Sequence, residues 1–273
     1  MACAYVGILT SLIAEIGWNH MGDLELAEKM IIAAKQAGAN YAKFQTWQLD
    51  KLKSGPWDND GRRDIYESAQ LTDAKHKHLI EACARYSISF LSSAFSVEDA
   101  KYLRELGQTA IKIPSFEIAN IDLLMFVADN FKTIFASVGT ATEEEILKAK
   151  QILPDETIFM HCVSSYPCEY DLINLPRIEK LKKIGLNVGF SDHTSGIYSS
   201  VLALKYDLKA IEKHFTTDHE LPGRDNKFAI LPEEMKELSK FISLQTSVNT
   251  DHGLSYQKCE QEARDVYRGR FNG

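Results

Sequence analysis

Eight times in succession a short apolar run is followed by a segment with helical spacing, and that regularity constrains this chain more than any single motif does. The apolar runs fall at residues 12–16, 41–45, 89–92, 110–113, 133–138, 157–162, 187–191 and 210–214. Helical patterns follow them at 24–36, 73–85, 97–106, 121–129, from 142 onward, 175–183, 197–206 and 233–244. In the first helix Leu24, Ala27, Ile31 and Ala34 share one face, with Asp23 as its cap and Gly38 as its stop. Ser96 and Asn120 read as caps of the same kind, Thr142 with Glu145 fits a capping box, and Pro232 opens the last helix. Strands alternating with helices call for a parallel sheet, and eight even repeats call for that sheet to close. The expected fold is therefore α/β: a single (β/α)8 TIM barrel over residues 1–248, with 249–273 a tail packing on or beyond it. The polar stretch 49–70, which holds Gly55-Pro56-Trp57, reads as a long functional loop.

Composition enters by exclusion. Hydrophobic residues at 45% are ample for one core. The formal net charge of -7, with no Lys/Arg stripe, argues against a nucleic-acid partner; a phosphorylated ligand must be held by locally placed cations. No apolar run approaches the roughly 20 residues of a membrane span. The N-terminal apolar stretch lacks a cationic lead and is interrupted by Glu15, so neither a membrane partner nor a signal peptide is expected. Cys3, Cys83, Cys162, Cys168 and Cys259 are odd in number and form no CxxC pair, which suits reduced thiols in the cytoplasm.

In such barrels the chemistry sits at the C-terminal ends of the strands. Polar groups stand at that end of every run. They are Glu15, Asn19 and His20; Lys43 and Gln45; Ser92 and Ser93; Lys112, Ser115 and Glu117; Ser137 and Thr140. His161, Ser164 and Tyr166, then Ser191, Asp192 and His193, then Glu212 and His214 complete the set. His193 and His214 each end an apolar run beside a carboxylate. On neighbouring parallel strands, two imidazoles with carboxylates and water suit a divalent transition metal. Lys43 and Lys112 suit an anion at the same mouth; the alternative is a structural lysine paired with Glu15 or Glu117. Two buried ammonium groups need more compensation than a purely structural role justifies. His161, between Met160 and Cys162, reads as a core histidine, and His20 is ambiguous. His76, His78, His219 and His252 read as solvated.

These strand ends carry, in order, Ala14-Glu15-Ile16-Gly17 with Asn19-His20; Lys43-Phe44-Gln45-Thr46; Phe90-Leu91-Ser92-Ser93-Ala94-Phe95; and Lys112-Ile113-Pro114-Ser115-Phe116-Glu117. Ser137-Val138-Gly139-Thr140-Ala141-Thr142, His161-Cys162-Val163-Ser164-Ser165-Tyr166-Pro167, Ser191-Asp192-His193-Thr194, Glu212-Lys213-His214-Phe215-Thr216 and Pro222-Gly223-Arg224-Asp225 follow. Through these nine stretches the chain resembles the sialic acid (N-acetylneuraminate) synthases and their legionaminic and pseudaminic acid relatives. The resemblance implies metal-dependent condensation of phosphoenolpyruvate with an N-acylated aldohexose of the N-acetylmannosamine type, giving a nonulosonic acid and inorganic phosphate. It implies that Lys43, Gln45, Lys112, Ser115, Ser137 and Ser191 hold the phosphoenolpyruvate. Ser93 and Ser164 would join them, although the family usually has threonine and asparagine there. His193 and His214 would bind the divalent metal, typically Mn2+, with Mg2+ or Co2+ as alternatives. Glu15, Tyr166 and Asp225 would meet the acceptor sugar, with Glu15 and Asp225 as catalytic carboxylates; we expect Glu117 to join them, stabilising the cationic character left by attack on the aldehyde or assisting the water that captures it.

The resemblance also implies a small antifreeze-like domain beyond the barrel that supplies an arginine to the partner subunit's site in a homodimer. This chain ends near where that linker would begin, which leaves three readings: a shortened chain, a separate protein supplying the cap, or an enzyme that works without it. Arg224 stands where the family commonly has proline, and we expect it to provide part of the missing guanidinium contact. Two other functions remain open at this level. One is a related 3-deoxy-ulosonate synthase using another aldose or an aldose phosphate, which Arg62, Arg63 and Arg224 would favour. The other is a non-catalytic sugar-binding barrel.

Overall fold

The computed structural model describes residues 10–271. Eight parallel strands close in sequence order, β1 against β8 completing the ring. They are β1 (Ser11–Glu15), β2 (Tyr41–Thr46), β3 (Ser89–Ala94), β4 (Ala110–Ile113), β5 (Thr133–Ser137), β6 (Ile158–His161), β7 (Asn187–Asp192) and β8 (Ala210–His214). The helices are α1 (Leu24–Gln36), α2 (Arg62–Ala69), α3 (Asp73–Arg85), α4 (Val97–Glu105) and α5 (Ile121–Asn130), then α6 (Glu143–Ile152), α7 (Pro176–Lys183), α8 (Tyr198–Ala203) and α9 (Pro232–Val248). The expected caps form. Asp23 accepts from the N–H groups of Glu25 and Leu26, Ser96 from Asp99 and Asn120 from Leu123, and Thr142 and Glu145 make the reciprocal box.

One expectation is corrected. The stretch 49–70 is not a plain loop: it holds two 3-10 turns (Leu49–Lys51 and Pro56–Asp58) and the helix α2. Its helical period is invisible in the sequence because α2 has no apolar stripe; of its residues only Ala69 is buried. The segment is fastened instead by Tyr66, whose ring meets Trp18 and Trp47 edge-on at 5.3 and 5.6 Å between centroids. Residues 249–271 are exposed throughout and lie beyond the barrel. Among the described residues no helix is long and apolar enough to cross a membrane, and Cys83, Cys162, Cys168 and Cys259 are free thiols.

Strand alternation sorts the side chains into two populations. Ile13, Leu91, Phe135, Met160 and Ala210 fill the barrel's centre. Leu12, Ala14, Phe44, Ile111, Ile113, Phe190 and Ile211 point outward into the larger cluster beneath the helices. Gly189 is required by the inner packing: a Cβ there would run into Met160 and stand 2.9 Å from the carbonyl oxygen of Ala210. One step beyond this apolar plug, toward the C-terminal ends, the inward positions become polar. Glu15 lies opposite Lys43 and His214, Ser93 opposite Lys112, and Ser191 opposite Glu212.

Candidate active site

The floor of the mouth is a buried network of charge. Lys43 Nζ donates to Glu15 Oε2 at 2.7 Å and lies 3.7 Å from Glu212 Oε2. Lys112 Nζ donates to both Glu212 oxygens at 2.8 and 2.9 Å, and Ser191 Oγ adds a third donor at 2.8 Å. Gln45 Nε2 holds the other Glu15 oxygen at 2.6 Å. All four charged groups are nearly inaccessible to solvent. Burial alone raises the Glu212 carboxyl, but Lys112 and Lys43 outweigh it and hold it well below the usual carboxylate range. Glu15 loses that contest: desolvation and the Glu212 charge exceed the pull of Lys43, so its pKa is raised. Burial presses both lysines down. Glu15 and Glu212 lift Lys43 above its ordinary value, while Lys112, repelled by Lys43, stays below its own. The structural alternative for the lysines is thus half right: Glu15 pairs with Lys43, but Glu212 takes the place expected of Glu117.

Beside this floor the ends of β4 to β6 form a nest of small donors. Ser115 Oγ and Cys162 Sγ are 3.1 Å apart. A Cβ on Gly139 would stand 2.6 Å from Ser164 Oγ, 2.7 Å from Ser115 Oγ and 2.8 Å from Cys162 Sγ, so only glycine lets these groups converge. Ser93 and Ser137 are buried at the same level. Glu117 belongs to the neighbouring 3-10 turn, where its Oε2 accepts from Asn120 Nδ2 at 3.0 Å.

His193 and His214 meet across β7 and β8 with ring centroids 5.6 Å apart. His193 Nδ1 lies 2.7 Å from the carbonyl oxygen of Val163, which makes it the donor and leaves Nε2 with its lone pair, 3.3 Å from Ser191 Oγ. His214 Nδ1 is buried without a hydrogen-bond partner, 3.4 Å from Asp225 Oδ2. Burial keeps both rings neutral: His193 falls to about 4 and His214 well below its ordinary value. Neutral imidazoles, one oriented by a backbone carbonyl, suit a metal ligand pair. Among the described residues no three His, Cys, Asp or Glu side chains converge at ligand spacing, so a cation here would complete its shell with water or substrate oxygens. Tyr166 closes the place from above, its ring 4.3 Å from that of His193 and 5.8 Å from that of His214. Asp225 is raised to about 7, first by burial and then by the charge of Glu15.

The structure therefore brings together Glu15, Lys43, Gln45, Lys112, Ser191, His193, His214, Tyr166 and Asp225. It places the Ser115–Ser164 nest beside them, leaves Arg224 exposed on the rim and turns Glu117 toward Asn120. Other histidines fall outside the cluster. His161 faces the helices, stacked on Phe190 and bonded to the carbonyl oxygen of Ile173. His20 Nδ1 accepts from the Gly22 N–H, and the ring packs edge-on to Phe44. His76, expected to be solvated, is buried between Thr46 Oγ1 and the Thr72 carbonyl oxygen. Sequence reasoning passed over Glu212 as the shared counterion, although its inward parity two residues before His214 carries that signal. It also missed the wall of Trp18, Trp47 and Tyr66, which depends on the unrecognised α2.

Comparison with known proteins gives this arrangement a context. An N,N'-diacetyllegionaminic acid synthase of Campylobacter jejuni is 34% identical over 95% of this chain and 83% of its own length. A pseudaminic acid synthase of the same organism is 36% identical over 83% of this chain and 71% of that protein. Among solved structures, the N-acetylneuraminic acid (sialic acid) synthetase of Leptospira borgpetersenii, determined in complex with citrate, superposes with a TM-score of 0.84. It shares 33% identity, over 96% of this chain and 92% of that one. A phospho-2-dehydro-3-deoxyheptonate aldolase of Thermotoga maritima, at 14% identity and a TM-score of 0.70 over 88% of this chain and 70% of that one, shares the fold. The NeuB family profile matches residues 30–252, from α1 to beyond α9 and so across seven of the eight strand ends that build the mouth; with the relatives' identity over most of their own lengths, it establishes that this chain is an enzyme belonging to the NeuB family.

Proposed function

We propose that this enzyme condenses phosphoenolpyruvate with the open-chain aldehyde of an N-acylated aldohexose, giving a nonulosonic acid and inorganic phosphate. The observation that carries the reading is the pair of buried ammonium groups sharing Glu212 beside two neutral imidazoles. The named activities of the relatives support it. Phosphate and carboxylate on one small substrate need this density of cations and donors. Lys43 and Lys112, with Gln45, Ser93, Ser115, Ser137, Ser164 and Ser191, hold the phosphoenolpyruvate. Tyr166, Asp225, Glu15 and Arg224 meet the acceptor.

His193 and His214 would hold a divalent cation, Mn2+ foremost, which supplies Lewis-acid polarisation of the aldehyde when bound. Asp225, poised near neutrality, donates a proton to the aldehyde oxygen as the substrate's methylene carbon bonds to the aldehyde carbon. Cationic character then develops at the enol ether carbon, beside the carboxylates of Glu15 and Glu212, and water adds there. A carboxylate takes the water's proton before phosphate departs. Glu15 already stands at the lysines, whereas Glu117 would first have to leave Asn120.

The test is phosphate release from phosphoenolpyruvate over a panel of N-acylated hexoses, with formation of a 2-keto-3-deoxy acid. Chelation should abolish turnover and Mn2+ restore it. Turnover that ignores chelation would remove the metal from the proposal; no release with any acceptor would overturn the synthase reading itself.

A further inference from the structure

The chain leaves β5 through a turn held in a strained form. Thr140 sits at φ 53, and the Ala141 N–H donates back across it to the carbonyl oxygen of Gly139. A γ-turn of this hand is rare, and a β-branched residue at positive φ makes it rarer. The Val138 N–H is taken by the carbonyl oxygen of Met160, but the N–H groups of Gly139 and Thr140 have no partner among the described residues. Successive free amides in such a bend make a concavity that binds anions. They open beside the small donors described above: Ser115 Oγ, Cys162 Sγ and Ser164 Oγ crowd the place of a Cβ on Gly139, and Ser164 Oγ is buried without a partner.

Two side chains hold this turn. Thr140 Oγ1 donates to the carbonyl oxygen of Ser115 at 3.4 Å. Arg177 Nη2, on α7, donates to the carbonyl oxygens on either side of the two free amides, Val138 at 2.9 Å and Ala141 at 3.4 Å. Arg177 is half-buried, and among the described residues no carboxylate stands within salt-bridge distance of it; the ionisable group whose charge reaches it is the Cys162 thiol. Burial presses its guanidinium below the ordinary value. A half-buried cation spent on two carbonyls, with no anion of its own, is poorly compensated unless an anion comes to the far side of the same turn. Lys112 stands on that side, and the Cys162 charge reaches it too. An anion in the nest therefore lies between Lys112 inside the barrel and Arg177 behind its wall. The nest itself holds no carboxylate, which suits the more highly charged end of the substrate, the phosphate.

We infer that Arg177 is a positioning residue for phosphoenolpyruvate: from behind the barrel wall it holds the turn 138–141 so that the N–H groups of Gly139 and Thr140 stay free for the phosphate oxygens. The inference rests on the condensation reading above and adds to it a backbone cradle and the side chain that keeps the cradle open. Arg177 touches the turn and not the substrate.

The experiment follows phosphate release by the Mn2+-supplemented enzyme, with inorganic phosphate as competitor. Arg177→Met should raise the KM for phosphoenolpyruvate and the inhibition constant of phosphate by about tenfold or more each, with kcat and the KM of the acceptor within about threefold of wild type. Arg177→Lys keeps the charge but has no fork for two carbonyls, and should recover only part of that affinity. A merely structural brace moves all four constants together or shows only in a thermal melt, and either result overturns the assignment. So does phosphate that fails to compete in the wild type, or that inhibits the variant equally. Should Arg177→Met not fold, Arg177→Lys decides: phosphate binding weakened about threefold at unchanged kcat upholds the role, and equal binding overturns it. If no acceptor supports phosphate release, the condensation reading fails, and calorimetric titration of phosphoenolpyruvate into wild type and variant decides this inference alone. Weaker binding to the variant upholds it, and absent or unchanged binding overturns it.

Discussion

Adjacent residues of β8, Glu212 and Lys213, belong to two buried lysine–carboxylate sets, one on each face of the barrel wall, and the two are built to opposite ends. On the outer face Asp192 accepts from the Thr194 N–H at 2.9 Å, from Thr194 Oγ1 at 2.8 Å and from Ser199 and Ser200. Lys213 lies 3.3 Å from it and donates to the Thr194 carbonyl oxygen at 2.6 Å. Every strong acceptor there has its donor. One residue away in sequence, on the inner face, Glu212 is shared by two lysines while Glu15 keeps only one. Burial of charge is common to both sets and so identifies neither. What separates them is wiring: the outer set is saturated around one carboxylate, whereas in the inner set two lysines share Glu212, the arrangement that the proposed function assigns to a multiply charged anion.

The largest expected effect strikes the inner set. Lys112→Met should cut turnover by at least about 10^2- to 10^3-fold and also lower the melting temperature by several degrees, because the buried Glu212 keeps only Lys43, 3.7 Å away, as a cation. Phosphate-release kinetics and a thermal melt on the same sample check this. Collapse of the fold, or an active variant, would erase the distinction between the two sets. Lys213→Met should strike stability alone. It leaves the buried Asp192 charge with hydroxyl and amide donors but no cation, which costs up to about 3–5 kcal/mol of stability. The fraction that remains folded should still bind phosphoenolpyruvate. Adding Asp192→Asn should recover part of the loss in a denaturant titration, and no recovery would mean that the pair is not the unit lost.

The contrast between the faces also explains what the sequence revealed. The eight units, their caps and the inward parity of Lys43, Lys112, His193 and His214 follow from local periodicity, which one chain displays openly. Pairing across the barrel does not. Lys112 and Glu212 are a hundred residues apart, and only closure of the ring brings them to 2.8 Å. The helix α2 was hidden for a different reason. Its anchor is an aromatic contact with Trp18 and Trp47, not an apolar stripe, and such a contact leaves no period to read. His76 deceived in the same way: a polar-flanked histidine on α3 is buried because Thr46 on β2 supplies a distant partner.

A finer test uses the two aspartates that flank this wall. Asp192 is pressed up by burial but pulled below its ordinary value by Lys213 and the surrounding hydroxyls; at Asp225 burial and the Glu15 charge outweigh the opposing pull of Trp18 and Arg224, and it rises to about 7. Asp225→Asn should therefore lower kcat by about 10^2-fold, and the alkaline fall in wild-type activity near pH 7 should vanish from what remains. Stability should move the other way. Between pH 3.8 and about 7 the native protein keeps a proton on Asp225 that the unfolded chain has released, so wild-type stability declines as pH rises through that window. Asparagine carries no such dependence. The variant should melt several degrees above wild type at pH 8 and close to it at pH 4. A carboxylate that is ordinary in the folded state would give no difference at either pH, and Asp225 would then belong with the saturated set instead of the reactive one.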